Sequence, residues 1–227
     1  MEDLLKNPVY NALLSRDAHL GFGTGAVRCF HEEVSPFVGF PELYSSGFGD
    51  LHQLLPEGRK ILYATTQLIT EPSGWQLVVG VKGLQFIYNK GPVDITSNLN
   101  LVPLQKEHVE EMVQLAALTK PGPFDLRTIE FGHYHGIFEN GRLVAMTGQR
   151  LHVEEYTEIS AVCTHPDYLG RGYAAALIQQ QLNLIYRQGG HPFLHVRADN
   201  ARAIALYHRF GFEINHPMNF YFMKKRP

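Results

Sequence analysis

The sequence predicts a mixed α/β fold: a central, partly antiparallel sheet flanked by helices, preceded by a smaller N-terminal α/β region. Three observations carry that expectation. Apolar residues recur at helical spacing in two windows, Val109, Met112, Val113 and Ala116, then Ala174, Leu177, Ile178, Leu182 and Ile185. Between them Asn140-Gly141 separates two apolar runs as a hairpin turn would, because both residue types tolerate positive φ. Hydrophobic residues make up 44% of the 227 and charged residues 19%, enough apolar material for a sizeable core.

Taken in order, the segment from Gly21 to Gly49 is dense in glycine, proline and aromatics, which predicts short elements joined by turns. Strands are predicted at 60–64, 76–81 and 84–88, the last two joined by a hairpin at 81–84. The polar, turn-rich stretch 89–100 reads as a linker. It divides the chain into an N-terminal accessory region, 1–97, and a second region, 98–227. There the pattern predicts a strand at 99–104, a helix at 106–118, a hairpin of strands 134–138 and 143–153, and a strand at 156–164. A helix from about Gly172 ends at Gly189-Gly190. A buried strand at 193–196, a helix at 200–210 stopped by Gly211, and closing strands at 212–214 and 220–223 complete the order.

Composition excludes several classes. A formal net charge of −2 with no long basic run argues against a nucleic acid partner. Two cysteines, Cys29 and Cys163, without metal-type spacing argue against a disulfide scaffold or a zinc site, and fit a reducing cytoplasm. The acids and proline within 1–17 do not read as a signal peptide. No run of about 18 apolar residues is present to cross a membrane. The expectation is a cytoplasmic protein with neither nucleic acid nor membrane as partner, its oligomeric state left open between monomer and homodimer.

Chemistry concentrates in two segments. Thr164–Ala174, THPDYLGRGYA, runs from a strand through a glycine-bearing turn into a helix. Free N–H groups and the positive end of the helix dipole would make an anion site there, although such a turn alone also reads as an ordinary connection. No Gly-Lys-Ser/Thr follows and a third glycine is missing, so it is neither a Walker loop nor a dinucleotide fingerprint. Downstream, LHVRADNARAIALYHRFGF places Asn200 at a helix N-cap and Tyr207 seven residues on, on the same side of the helix. A satisfied cap and a packed tyrosine would explain either residue alone.

Together these segments resemble the GCN5-related N-acetyltransferase (GNAT) superfamily. Its loop Gln/Arg-x-x-Gly-x-Gly/Ala stands here as Asp167-Tyr168-Leu169-Gly170-Arg171-Gly172, with an acid at the first position. Its downstream motif is complete in Asn200, Ala203, Leu206, Tyr207, Gly211 and Phe212. The resemblance covers about 98–227, and the extra N-terminal region resembles the branch that includes glycine N-acyltransferases. It implies acetyl-CoA as cosubstrate, no metal, and acyl transfer to the amine of a small molecule or amino acid by direct attack in a ternary complex. The coenzyme would be held by Val162, Cys163, Thr164, Gly170, Arg171, Gly172, Tyr173, Ala174, Ala175, Asn200 and Tyr207. Backbone of 162–164 would pair with the pantetheine arm, and a main-chain N–H there would polarise the thioester.

Tyr207 matches the family's usual acid toward the leaving thiolate, since a phenol with a reference pKa of about 10 is protonated at neutral pH. Glu158 is the first choice for general base, with His133 and His135 as the alternative. Strand alternation groups Glu158, Ser160 and Val162 on one face, unless a bulge intervenes. Cys163 reads as a small buried hydrophobe rather than a nucleophile. Glu154, Glu155 and Glu158, taken as a cluster beside the acceptor, would favour a cationic amine. Longer acyl donors, a protein substrate and a non-catalytic acyl-CoA-binding module are the competing readings.

Overall fold

Hydrophobic alternation and helical periodicity become sheet and helices in a computed structural model that describes residues 3–227. In chain order the principal elements are α1 (Pro8–Leu14), β1 (Gly21–Thr24), β2 (Val27–Phe30), β3 (Phe37–Gly39), α2 (Gly47–Leu54), β4 (Lys60–Thr65) and β5 (Trp75–Ile87). There follow β6 (Val102–Pro103), α3 (Val109–Thr119), β7 (His135–Glu139), β8 (Arg142–Val153), β9 (Tyr156–Thr164), α4 (Tyr173–Arg187), β10 (His191–Arg197), α5 (Ala201–Phe210) and β11 (Glu213–Lys225). Among the described residues the strands form one sheet in the order β1-β2-β3-β4-β11-β5-β10-β9-β8-β7-β6. Pairing is antiparallel except between β3 and β4 and between β9 and β10. This is the mixed α/β fold that the sequence predicts.

The predicted β7–β8 hairpin turns on Asn140 and Gly141, both at positive φ. Strand β9 and the α5 boundaries also match the pattern. Two predicted breaks are absent. The segments read as 76–81 and 84–88 form one strand, β5, and the closing strands at 212–214 and 220–223 form one strand, β11. Both long strands run side by side from Glu213↔Ile87 to Lys225↔Trp75, and ladder bonds along that length outweigh the local turn signals of Gly83 and Pro217. Pro217 is tolerated because β11 has only one neighbour there; its pairing with β4 begins at Asn219. The predicted strand at 99–104 shrinks to Val102–Pro103.

The division expected at residue 97 is not reflected in the sheet. Strand β5, from the N-terminal segment, lies between β10 and β11 of the C-terminal one. Helix α4 buries Leu177, Ile178, Leu182 and Ile185 on one stripe against the sheet, each burial contributing about 1.5–3 kcal/mol. Helices α1 and α3 cover the other face, where Val9, Leu13, Met112 and Leu115 meet Phe30, Leu151 and Cys163.

Candidate functional site

The site begins at an opening in the sheet. Strands β9 and β10 run parallel and pair only at Tyr156–His191, Thr157–Pro192 and Glu158–Phe193. Beyond Glu158 they diverge, while β10 stays paired with β5 as far as Arg197↔Gly83. The splayed part of β9 carries a bulge: Met146 faces Cys163 and Gly148 faces Ser160, leaving Ala161 and Val162 against Thr147, with Ala161 at φ 52°. The bulge changes the face parity expected from simple alternation. Ala161 and Cys163 pack into the α3 side, whereas Ile159 and Val162 pack toward α4 and α5.

A cavity of about 680 Å³ fills this opening. It is lined by Glu158, Val162, Cys163 and Thr164 from β9, by Gly170, Gly172, Tyr173, Ala174 and Ala175 at the start of α4, and by Asn200 and Tyr207 of α5. These predicted site residues are thus brought to one place. Gly172 caps α4 at φ 80°, a left-handed conformation that glycine adopts without Cβ strain, and supplies no side-chain cap. The first intrahelical bond is donated by Ala176 to Gly172, so the N–H groups of Tyr173, Ala174 and Ala175 remain for an anion. Tyr173 contributes backbone only. Its ring is buried against Leu177 and its hydroxyl donates to Glu139.

Arg171 stands apart from the other predicted coenzyme-binding residues. It does not line the cavity; its guanidinium lies 4.7 Å from the Tyr168 ring centroid, in a cation–π contact. Arg202 and Arg209, not singled out in the sequence, line the cavity instead. Their seven-residue spacing puts the two arginines on one side of α5 with each other, but they stand two residues on from Asn200 and Tyr207, so helical spacing alone does not bring all four together. The unusual acid of the loop, Asp167, points away from the cavity with its side chain 82% exposed. His165 shapes this loop by accepting from the Asp167 N–H. Asn200 caps α5 by accepting from the Ala203 N–H at 3.1 Å.

Tyr207 is buried against Phe86 and Phe212. Its hydroxyl makes no hydrogen bond among the described residues. Burial, reinforced by the Glu158 charge, raises its pKa above the ordinary phenol value, so it stays protonated at neutral pH. Burial likewise pushes the Cys163 thiol up to about 11, which leaves it protonated and unreactive.

Glu158 departs most from expectation. It is fully enclosed and accepts from Arg150 Nε at 2.8 Å, Arg150 Nη2 at 2.7 Å and His195 Nδ1 at 2.8 Å. Burial would raise its pKa, but the Arg150 charge and hydrogen bonds, aided by His195, outweigh that and hold it near 2. A carboxylate so stabilised is a weak proton acceptor. Its geometry is that of an anchor for Arg150 and His195 rather than of the predicted base. His133 and His135 line neither cavity; His133 contacts Gln188, and His135 bonds the His133 carbonyl. Glu154 and Glu155 are exposed in the β8–β9 turn, so the expected acidic cluster does not form.

His195 was missed. Gln85 Nε2 also donates to the Leu5 carbonyl, while its oxygen accepts from Asn215. Its amide N–H therefore faces His195 Nε2 at 2.9 Å, and the ring presents Nδ1–H to Glu158. The available signal was a polar residue within an otherwise apolar buried strand.

A second cavity, about 700 Å³, shares Lys120, Pro121, Arg150, His195, Val196 and Arg197 with the first. Its walls are apolar and come from both segments of the chain, Phe37, Leu62 and Val81 from one and Phe124, Phe220 and Phe222 from the other. Among the described residues no group of three or more His, Cys, Asp or Glu is placed to hold a metal ion. No helix there is long and apolar enough to cross a membrane.

Comparison with known proteins agrees with this geometry. Residues 134–221 match the family described as FR47-like protein. A solved GNAT-family structure from Novosphingobium aromaticivorans is 32% identical, covers 100% of both chains and superposes with a TM-score of 0.92. The GCN5-related N-acetyltransferase of Kribbella flavida shares the fold, with 14% identity, coverage of 96% of this chain and 95% of its own, and a TM-score of 0.66. Among curated proteins, N-alpha-acetyltransferase RimI of Mycobacterium tuberculosis is 36% identical over 85 residues, 36% of this chain and 52% of that protein. The [ribosomal protein bS18]-alanine N-acetyltransferase of Escherichia coli K12 is 33% identical over 75 residues, 33% of this chain and 50% of its own. The match therefore spans about half the length of these curated relatives. With whole-chain similarity to a family structure, the glycine loop, the Asn200–Phe212 motif and the splayed sheet in place, the chain belongs to the GNAT family of acetyltransferases.

Proposed function

We propose that this protein is an acetyl-CoA-dependent N-acetyltransferase acting on the primary amine of a small molecule or amino acid. The observation that carries the reading is the junction of two cavities at Arg150 and His195, one with the glycine loop and Tyr207, the other mainly apolar. That arrangement suits direct attack in a ternary complex, with donor and acceptor entering from different sides. An acetyl donor is favoured over the longer acyl donor suggested by the glycine N-acyltransferase-like resemblance, because the curated relatives are named acetyltransferases. A small acceptor is favoured over a protein because residues of 3–97 wall the second cavity.

The residues divide the work as follows. The coenzyme supplies an activated thioester. The free N–H groups at the start of α4, with Arg202 and Arg209, suit its phosphates. The unpaired edge of β9 at Ser160–Thr164 offers main-chain groups to the pantetheine arm and the thioester carbonyl. Tyr207 holds its proton for the departing thiolate. His195, oriented by Glu158 and lining both cavities, is the group nearest the acceptor that can take up a proton, which would require it to release Gln85.

Release of free CoA thiol from acetyl-CoA, followed across a panel of primary amines, tests this reading. Turnover dependent on the amine is expected. Tight acetyl-CoA binding without CoA release from any amine would instead support a non-catalytic binding module.

A further inference from the structure

The charge of the second cavity points to what enters it. Among its described lining residues every charged side chain is cationic: Lys60, Lys120, Arg150 and Arg197. Arg197 is paired in bidentate fashion with Asp199. Lys60 and Lys120 have no carboxylate within salt-bridge distance among the described residues. Arg150 gives Nε and Nη2 to Glu158, and its Nη1 has no hydrogen-bond partner there. Nη1 lies on the side of Gly122, a lining residue, and the guanidinium carbon is 5.0 Å from the Phe37 ring centroid. Glu158 thus fixes the guanidinium and leaves one edge of it for another anion.

Resting on the transfer reading above, we infer that the acceptor is an α-amino acid with a free carboxylate and a large apolar side chain. Arg150 Nη1 and Lys120 would hold the carboxylate, and the chamber floored by Phe37, Leu62, Val81 and Phe220 would take the side chain. Placement supports this. An α-carboxylate is two bonds from its amine, so its cations must stand where the two cavities meet, and Arg150 and Lys120 line both. The same positive field disfavours an ammonium, which helps the amine reach its neutral, attacking form. A polycation would meet Lys60 and Lys120 there, while Glu158 at the junction is already held by Arg150 and His195.

The test compares kcat/KM at saturating acetyl-CoA for L-phenylalanine, 2-phenylethylamine, spermidine and an alanine-initiated peptide, in the wild-type protein and in Lys120→Asn. Asparagine removes the charge yet tolerates the left-handed backbone at position 120, where φ is 51°. Phenylalanine is expected to exceed 2-phenylethylamine by about tenfold or more, and the ratio to shrink severalfold in Lys120→Asn. Equal or better use of 2-phenylethylamine, spermidine or the peptide overturns the inference while leaving acetyl transfer standing. A ratio unchanged in Lys120→Asn overturns the assignment of the carboxylate to this junction. Absence of CoA release with every amine overturns the transfer reading itself, and this inference with it.

Discussion

At the scale of single residues, the buried Arg150–Glu158–His195 cluster holds paired charge inside the fold. Removing one partner of such a pair leaves an uncompensated charge. Glu158→Ala should therefore destabilise the fold by about 3–5 kcal/mol, measured by denaturant unfolding. The folded-state pKa of Glu158 lies below its ordinary value of 4.5, near 2. Its contribution is therefore fully present above about pH 4.5 and is lost as pH falls toward 2. Acid titration of unfolding should show that window, and it should be absent in the variant. His195→Ala should lower kcat for the amine by about a hundredfold, measured at saturating acetyl-CoA; an unaltered kcat would remove His195 as proton acceptor. Sequence named Glu158 but not its state. Its clamp joins residues eight and thirty-seven positions away, and no local pattern reports such a contact.

At the scale of elements, the coenzyme cleft is made by a turn, a bulge and a helix cap. Gly172→Ala forces a Cβ into φ 80°, at a cost of about 1–2 kcal/mol. Since no atom crowds a Cβ there, a rise in KM for acetyl-CoA would report the altered loop rather than a steric clash. Asn200→Ala should lower stability by about 0.5–2 kcal/mol through loss of the α5 cap, which thermal unfolding will measure. The glycine loop and the Asn200–Phe212 motif were legible because each is local: spacing alone sets which residues share a helix face. A bulge in β9 was allowed for, but its place at Ala161 was not legible. It arises from the register between β8 and β9, and an alternating pattern on one strand does not encode its partner's register. The stacking of Arg171 on the Tyr168 ring was not legible either, since residue spacing does not say which way a flexible side chain turns.

At the scale of the whole molecule, the N-terminal segment completes the sheet. The long pairing of β5 with β11, and the β5–β10 ladder, tie residues of 3–97 to both closing strands. A fragment of residues 98–227 would lose the strand between β10 and β11, exposing two edges and Phe86 contacts around Tyr207. It is expected to be unfolded or aggregated by circular dichroism and size exclusion, and a folded, coenzyme-binding fragment would contradict this. The linker-like composition of 89–100 reads as a division of the chain in sequence. It could not show that strands on either side of it interleave, because that is a long-range property of the sheet. The same interleaving builds the second cavity from both segments.

The central claim is that the β9–β10 cleft holds acetyl-CoA with Tyr207 as the proton donor to its leaving group. Steady-state kcat and acetyl-CoA KM for Tyr207→Phe, with a single amine that the wild-type protein turns over, test it most directly. Loss of a positioned acid should lower kcat by about a hundredfold with KM changed no more than about twofold. A kcat near wild type, or an equal loss of coenzyme binding, would show that Tyr207 only packs and would contradict the account.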